Sequence, residues 1–162
     1  MKRTLLMFLF LSYSLLSFAP TAPQFYIAES EAITTYKSQY ESVLNAIGWY
    51  EASDNDSAYN QKEDAYGRLQ IRRSSGRIEH FNLVTGKNYT YEDMYNFKKA
   101  REVFLYYAQG KTQEQTARDW NGSGIMTVVY WMNIKNIMNG SKNPLIRVYS
   151  SQQARDYLNS LG

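Results

Sequence analysis

The sequence predicts an all-α domain with at most one small hairpin, and three observations predict it. Apolar residues recur at helical spacing in several separate stretches, as in Tyr40, Val43, Leu44, Ile47 and Tyr50. Helix punctuation stands where those stretches begin and end. Thr112 and Gln115 form a capping-box pattern, and Gly110 and Asn139-Gly140 follow apolar stretches as stops. Runs that alternate apolar and polar residues, the mark of half-buried strands, are scarce.

The elements follow in order. Lys2 and Arg3 precede an apolar run from Leu5 to Phe18 broken only by Ser and Tyr, and Ala19-Pro20 and Ala22-Pro23 come next. This reads as an export signal. The run is shorter than the ~20 residues of a spanning helix, and a retained membrane anchor is the alternative. Residues 1–28 are therefore assigned to a signal or anchor. The protein is expected to be exported, to the periplasm or the cell exterior. Residues 29–140 are the working domain, and 141–162 form a helical tail.

Residues 30–50 lack proline and form an amphipathic helix that ends near Glu51. Ala52 to Asp64 is rich in Asp, Asn and Ser, which is loop chemistry. Ala65 to Ile71 is a tight segment containing Gly67. A helix is expected from Arg72 to Asn82, a turn over Thr85 to Tyr89, and a short helical start at Thr90, Glu92 and Asp93. Asn96 to Ala108 sets Phe97, Ala100, Val103, Phe104 and Tyr107 on one helical face. The capping box opens a helix reaching Trp120, and Asn121-Gly122-Ser123-Gly124 breaks it. Thr127 to Met138 is an apolar helix. A last helix runs from Ser151 to Leu161.

Composition narrows the chemistry. The 162 residues hold no cysteine, so a disulfide framework and a thiol nucleophile are excluded. His80 is the single histidine, which rules out a multi-histidine metal site. No cofactor or metal is expected, and carboxylates remain as the main acid–base groups. Without Lys2 and Arg3 the chain carries 16 basic against 15 acidic side chains, so no basic surface points to nucleic acid. Fifteen tyrosines and three tryptophans suit both a core and the apolar faces of sugars. His80 receives no role.

Glu51 stands at the end of an apolar helix, behind Trp49 and Tyr50. A carboxyl in apolar surroundings has its charged form disfavoured, as a general acid near neutral pH requires. Three further elements follow: Ala58 at seven residues, Gly67-Arg68-Leu69-Gln70, and Trp120-Asn121-Gly122 with a later Tyr130. This ordered set resembles the soluble-type lytic transglycosylases, which share a lysozyme-like fold with goose-type lysozymes. The likeness covers roughly residues 40–135. Ala52, Asp54, Arg68 and Trp120 depart from it, standing where that family usually has Ser, an apolar residue, an apolar residue and Tyr. Asn60 holds a position that is often Ser.

The resemblance implies a lysozyme-like domain acting on peptidoglycan glycan strands. It implies that Glu51 protonates the glycosidic oxygen between N-acetylmuramic acid and N-acetylglucosamine and then acts as base. It also implies that Asn60, Gln70, Trp120, Asn121 and Tyr130 bind substrate or hold the acid. A muramidase-type hydrolase and a non-catalytic wall-binding or virion-associated module are the alternatives. Asp54, Asp56, Glu63 and Asp64 are candidates for a second carboxylate, but a solvated loop is the preferred reading for them.

Overall fold

Helix α1, over residues 40–52, buries Tyr40, Val43, Leu44, Ala46 and Ile47, a stripe at i, i+3, i+4 and i+7. The computed structural model describes residues 40–162. The apolar run read as a signal or anchor lies outside the described residues. Among the described residues no helix is long and apolar enough to cross a membrane. α1 stops where Ser53 and Asp54 both adopt left-handed backbone, at φ 51° and 59°. Such conformations end a helix, and each costs about 1 kcal/mol in a residue other than glycine.

Three two-residue strands follow: β1 (Tyr59–Asn60), β2 (Ala65–Tyr66) and β3 (Ile71–Arg72). They form one antiparallel sheet in the order β1-β2-β3, with Tyr59 opposite Tyr66 and Ala65 opposite Arg72. The sequence predicted a loop and at most one hairpin here. The sheet is held by its turns: the Asn60 side chain accepts from the Lys62 and Glu63 amides. The second turn is the Gly67–Gln70 segment described below.

Helix α2 (Arg77–Thr85) starts later than predicted. Arg73–Ser75 forms a 3-10 turn, and Gly76, at φ 62°, separates it from α2. The glycine therefore splits the expected Arg72–Asn82 helix rather than lying inside it. A 3-10 turn at Glu92–Tyr95 precedes α3 (Phe97–Ala108), whose N-terminus is capped by the Asn96 side chain. Helix α4 (Gln113–Asn121) carries the complete capping box of Thr112 and Gln115. Helix α5 (Met126–Met138) packs on α4, and α6 (Ser151–Ser160) closes the chain. The fold is thus mostly helical, and the core is built from the inward faces of α1 to α5 together with Leu69 and Ile71.

The tail after Gly140 is tied to the helices. Asn133 is buried in α5 and grips the main chain of Ile146 twice: its side chain donates to the carbonyl at 2.6 Å and accepts from the amide at 3.1 Å. The Trp49 indole N–H of α1 donates to the Lys142 carbonyl at 2.9 Å. Ala154 of α6 is fully buried. A buried amide satisfied on both sides fixes a chain segment firmly, because loss of either bond would strand a polar group.

Candidate active site

The last turn of α1 carries Glu51 to the junction between the helices and the sheet. Its side chain is half-buried, and Tyr130 of α5 donates its hydroxyl to Glu51 Oε1 at 2.7 Å. Burial pushes the Glu51 carboxyl above the usual carboxylate range. The Tyr130 hydrogen bond and the charges of Arg72 and Arg147 act the other way, while Glu63 adds to the rise. Tyr130 is itself buried, and burial next to the Glu51 charge holds its phenol well above its ordinary value. It therefore remains a protonated hydrogen-bond donor around neutral pH.

Glu51 borders two spaces. One is a pocket of about 650 Å³ whose wall includes Ala58, Tyr59, Asn60, Lys62 and Gln70. The other is a recess of about 70 Å³ lined also by Asn121, Asn133, Tyr130 and Val148. The structure so brings together Glu51, Asn60, Gln70, Asn121 and Tyr130 out of the six residues singled out from the sequence. Asn60 and Gln70 stand on one side of the acid, and Asn121 and Tyr130 on the other.

The Gly67–Gln70 segment explains how the larger pocket is built. The Gly67 amide donates to the Ala58 carbonyl at 2.8 Å, and the Gln70 amide closes a turn onto the Gly67 carbonyl at 3.1 Å. The Gln70 side-chain amide donates to the same Gly67 carbonyl at 2.9 Å. Gln70 has a left-handed backbone, at φ 48°, a strained state that its own side-chain bond helps to hold. The turn thus pins the loop after Glu51 at Ala58 and turns Gln70 toward the pocket.

Trp120 is in a different place from that expected of a sugar-binding residue. It is buried, packed edge-on to Phe104 with ring centroids 5.1 Å apart, and covered by the Arg77 guanidinium at 4.4 Å. Its indole N–H donates to the Leu69 carbonyl at 3.0 Å. The ring is buried in the core and borders neither space beside Glu51. It supports the Gly67–Gln70 turn from beneath instead.

The four loop carboxylates are engaged by arginines. Arg68 lies across Gly48 of α1 and pairs with Asp56 at 2.7 Å and Asp54 at 3.4 Å, with its guanidinium 4.1 Å from the Phe97 ring centre. Glu63 pairs with Arg72 at 2.8 Å and Asp64 with Arg73 at 2.9 Å. These groups brace the loop and sheet around the acid, and none of the four borders the larger pocket. Two of the departures from the resembled pattern, Asp54 and Arg68, are therefore partners of one another. A Cβ added at Gly48 would meet the Arg68 stem at 2.8 Å, so the arginine would have to shift to admit it.

Sequence reasoning passed over Tyr50, Arg72, Asn133 and Arg147. Tyr50 packs edge-on to Tyr130 at 5.1 Å and holds it in place. The Arg147 guanidinium lies 4.9 Å from the Tyr50 ring centre and donates to the Tyr50 carbonyl at 3.4 Å. Asn133 carried a usable signal, an amide in an apolar helix. His80 is exposed, with Nε2 at 3.2 Å from the Tyr106 hydroxyl. Among the described residues no group of three His, Asp or Glu side chains is arranged to hold a metal ion.

A single arrangement of this kind can hold a proton and then accept it back. The raised carboxyl keeps its proton to higher pH than an ordinary glutamate, and the Tyr130 donor stabilises the carboxylate once that proton has left. Tyr130→Phe removes the group that favours the charged form. The Glu51 carboxyl is then expected to ionise at higher pH than in the wild type. Carbon NMR titration of the Glu51 carboxyl in the variant beside the wild type measures this. An unshifted titration would remove Tyr130 from the site.

No protein-family model, no curated protein and no solved structure matches this chain.

Proposed function

We propose that the protein is an exported peptidoglycan lytic transglycosylase of the soluble type, with a lysozyme-like domain and Glu51 as its single acid–base group. The observation that carries this reading is the Glu51 carboxyl itself. It is raised by burial, held by the Tyr130 hydroxyl at 2.7 Å, and open to a pocket large enough for a sugar ring. A helix-ending glutamate beside a small antiparallel sheet and a Gly-x-x-Gln turn also supports it.

The chemistry follows from the two protonation states. Protonated Glu51 gives its proton to the oxygen of the β-1,4 bond between N-acetylmuramic acid and N-acetylglucosamine as that bond breaks. The N-acetyl group of the muramic residue stabilises the positive charge at its anomeric carbon, so a second enzyme carboxylate is not required. Ionised Glu51 then takes the proton of the muramic 6-hydroxyl, whose oxygen closes onto the anomeric carbon to form the 1,6-anhydro ring. Asn60 and Gln70 hydrogen-bond sugar in the larger pocket, and Asn121 bonds it in the recess. Trp120 supports the turn rather than the sugar.

A muramidase-type hydrolysis is the second reading, favoured by one observation. Glu51 is only half-buried, so water reaches the group that would activate it. Digestion of purified peptidoglycan, followed by mass analysis, separates the two. Anhydro-ended fragments, one water lighter, are expected; hydrated reducing ends would establish the hydrolase. Absence of any fragment from folded protein would leave a wall-binding or virion-associated module.

A further inference from the structure

The cations around Glu51 are not used alike. Arg72 is neutralised by Glu63, and Arg68 and Arg73 are held by the loop carboxylates. Two cations stand apart. Lys62 is exposed on the wall of the larger pocket. Arg147 is exposed on the tail, and its guanidinium lies 4.9 Å from the ring centre of Tyr50, which lines the recess. Among the described residues neither has a carboxylate within ion-pair distance. One therefore stands at the larger pocket and the other beside the recess, the two spaces that Glu51 borders.

Arg147 is held there by construction. The double grip of Asn133 on Ile146 fixes the preceding residue. The ring of Tyr50 and its carbonyl support the guanidinium itself. These contacts occupy one face and one N–H, leaving the other donors for a ligand. The charge is felt at the acid, because Arg147 is among the groups that hold Glu51 down. When Glu51 is protonated the cleft thus carries net positive charge at both ends, which favours an anionic polymer over a neutral one.

We propose that Lys62 and Arg147 recognise carboxylates of an acidic glycan on the two sides of the bond facing Glu51. The site would then select a strand that carries a carboxylate on its sugars over an uncharged N-acetylated glycan of the same backbone. This inference rests on the glycan-cleaving reading. The tail from Lys142 to Val148 becomes part of the specificity apparatus, and no new catalytic group is invoked.

The test compares peptide-stripped peptidoglycan strands, whose lactyl groups are free carboxylates, with the same strands after carbodiimide amidation. The full-length protein is expected to show a kcat/KM about fivefold higher on the acidic strand at low salt, with the difference shrinking as salt rises. Arg147→Gln and Lys62→Gln should each reduce that ratio and the double variant should bring it near one. Arg147→Lys should restore part of it. Equal cleavage of both strands by the wild type would overturn the inference and leave the glycan-cleaving reading intact. A variant that loses both activities in the same proportion would show Arg147 to be a structural prop, and would also overturn it. If neither strand is cleaved, the reading beneath it fails as well.

Discussion

Glu51→Gln is expected to lose glycan cleavage by ~10²-fold or more, because the amide cannot give a proton to the leaving oxygen or take one back. Its fold should survive. The glutamine oxygen can still accept the Tyr130 hydroxyl that reaches Glu51 Oε1 at 2.7 Å. Stability should move the opposite way from activity. The folded carboxyl titrates above its unfolded value because burial disfavours the charged form. The native state therefore binds the proton more tightly, and wild-type stability falls as pH rises from the ordinary carboxylate range through the raised value. The glutamine variant escapes that loss. It should melt higher than wild type at about pH 7, and the gap should close by about pH 4. Thermal denaturation of both proteins at the two pH values measures this. A variant less stable than wild type at neutral pH would mean that burial does not penalise the Glu51 charge.

Gly67→Ala is expected to have the largest effect on folding. Gly67 has φ 70°, and an added Cβ would sit 2.1 Å from the Met94 carbonyl oxygen and 2.8 Å from its carbon. Both are backbone atoms of the 3-10 turn at Glu92–Tyr95, so no side chain can swing aside. The left-handed backbone alone costs about 1 kcal/mol, and the collision forces the turn apart. A loss of roughly 3 kcal/mol or more is expected, a large share of the 5–15 kcal/mol of an ordinary domain. The Gly67–Ala58 bond would go with it, and with that bond the wall of the pocket beside Glu51. Gly76→Ala is the control: φ is similar at 62° but the added carbon meets nothing, so the loss should be near 1 kcal/mol. Urea denaturation of the two variants compares them directly. Equal losses would show that the approach to Met94 is not what demands glycine.

The features legible in the sequence were those written in local spacing. The apolar stripe of α1, the capping box of α4 and the stop after Met138 each depend on residues a few positions apart. Glu51 could be singled out because α1 ends at it, and Gly67 and Gln70 because the turn they form is contained within four residues. The sheet was missed in part because two-residue strands are too short to show alternation. They are held by an Asn60 cap and by the Gly67 turn rather than by strand propensity. The Arg72–Asn82 helix came out too long because Gly76 lies inside its pattern, and a glycine there is compatible with both a tolerated residue and a break.

The less legible features all depend on contacts between distant segments. Arg68 and Asp54 looked like separate oddities at 14 residues apart, and only their ion pair across Gly48 makes them one device. Trp120 could be read as stacking on sugar or as core, and the structure buries it in the core with its N–H on the Leu69 carbonyl. Tyr50, Asn133 and Arg147 form a line from the tail to Tyr130 that spans nearly 100 residues of chain. No local pattern encodes such a line.

The central claim is that the proton given up in glycan cleavage comes from the half-buried carboxyl of Glu51. The most direct measurement sets two titrations side by side on the wild-type protein. One is the pH dependence of fragment release from purified peptidoglycan, and the other is the carboxyl titration of Glu51 followed by carbon NMR and assigned with Glu51→Gln. The account predicts that release falls at the pH where Glu51 ionises, and that this lies above the ordinary carboxylate range. Release that continues unchanged through the Glu51 titration, or a Glu51 that ionises as an exposed glutamate does, would contradict it.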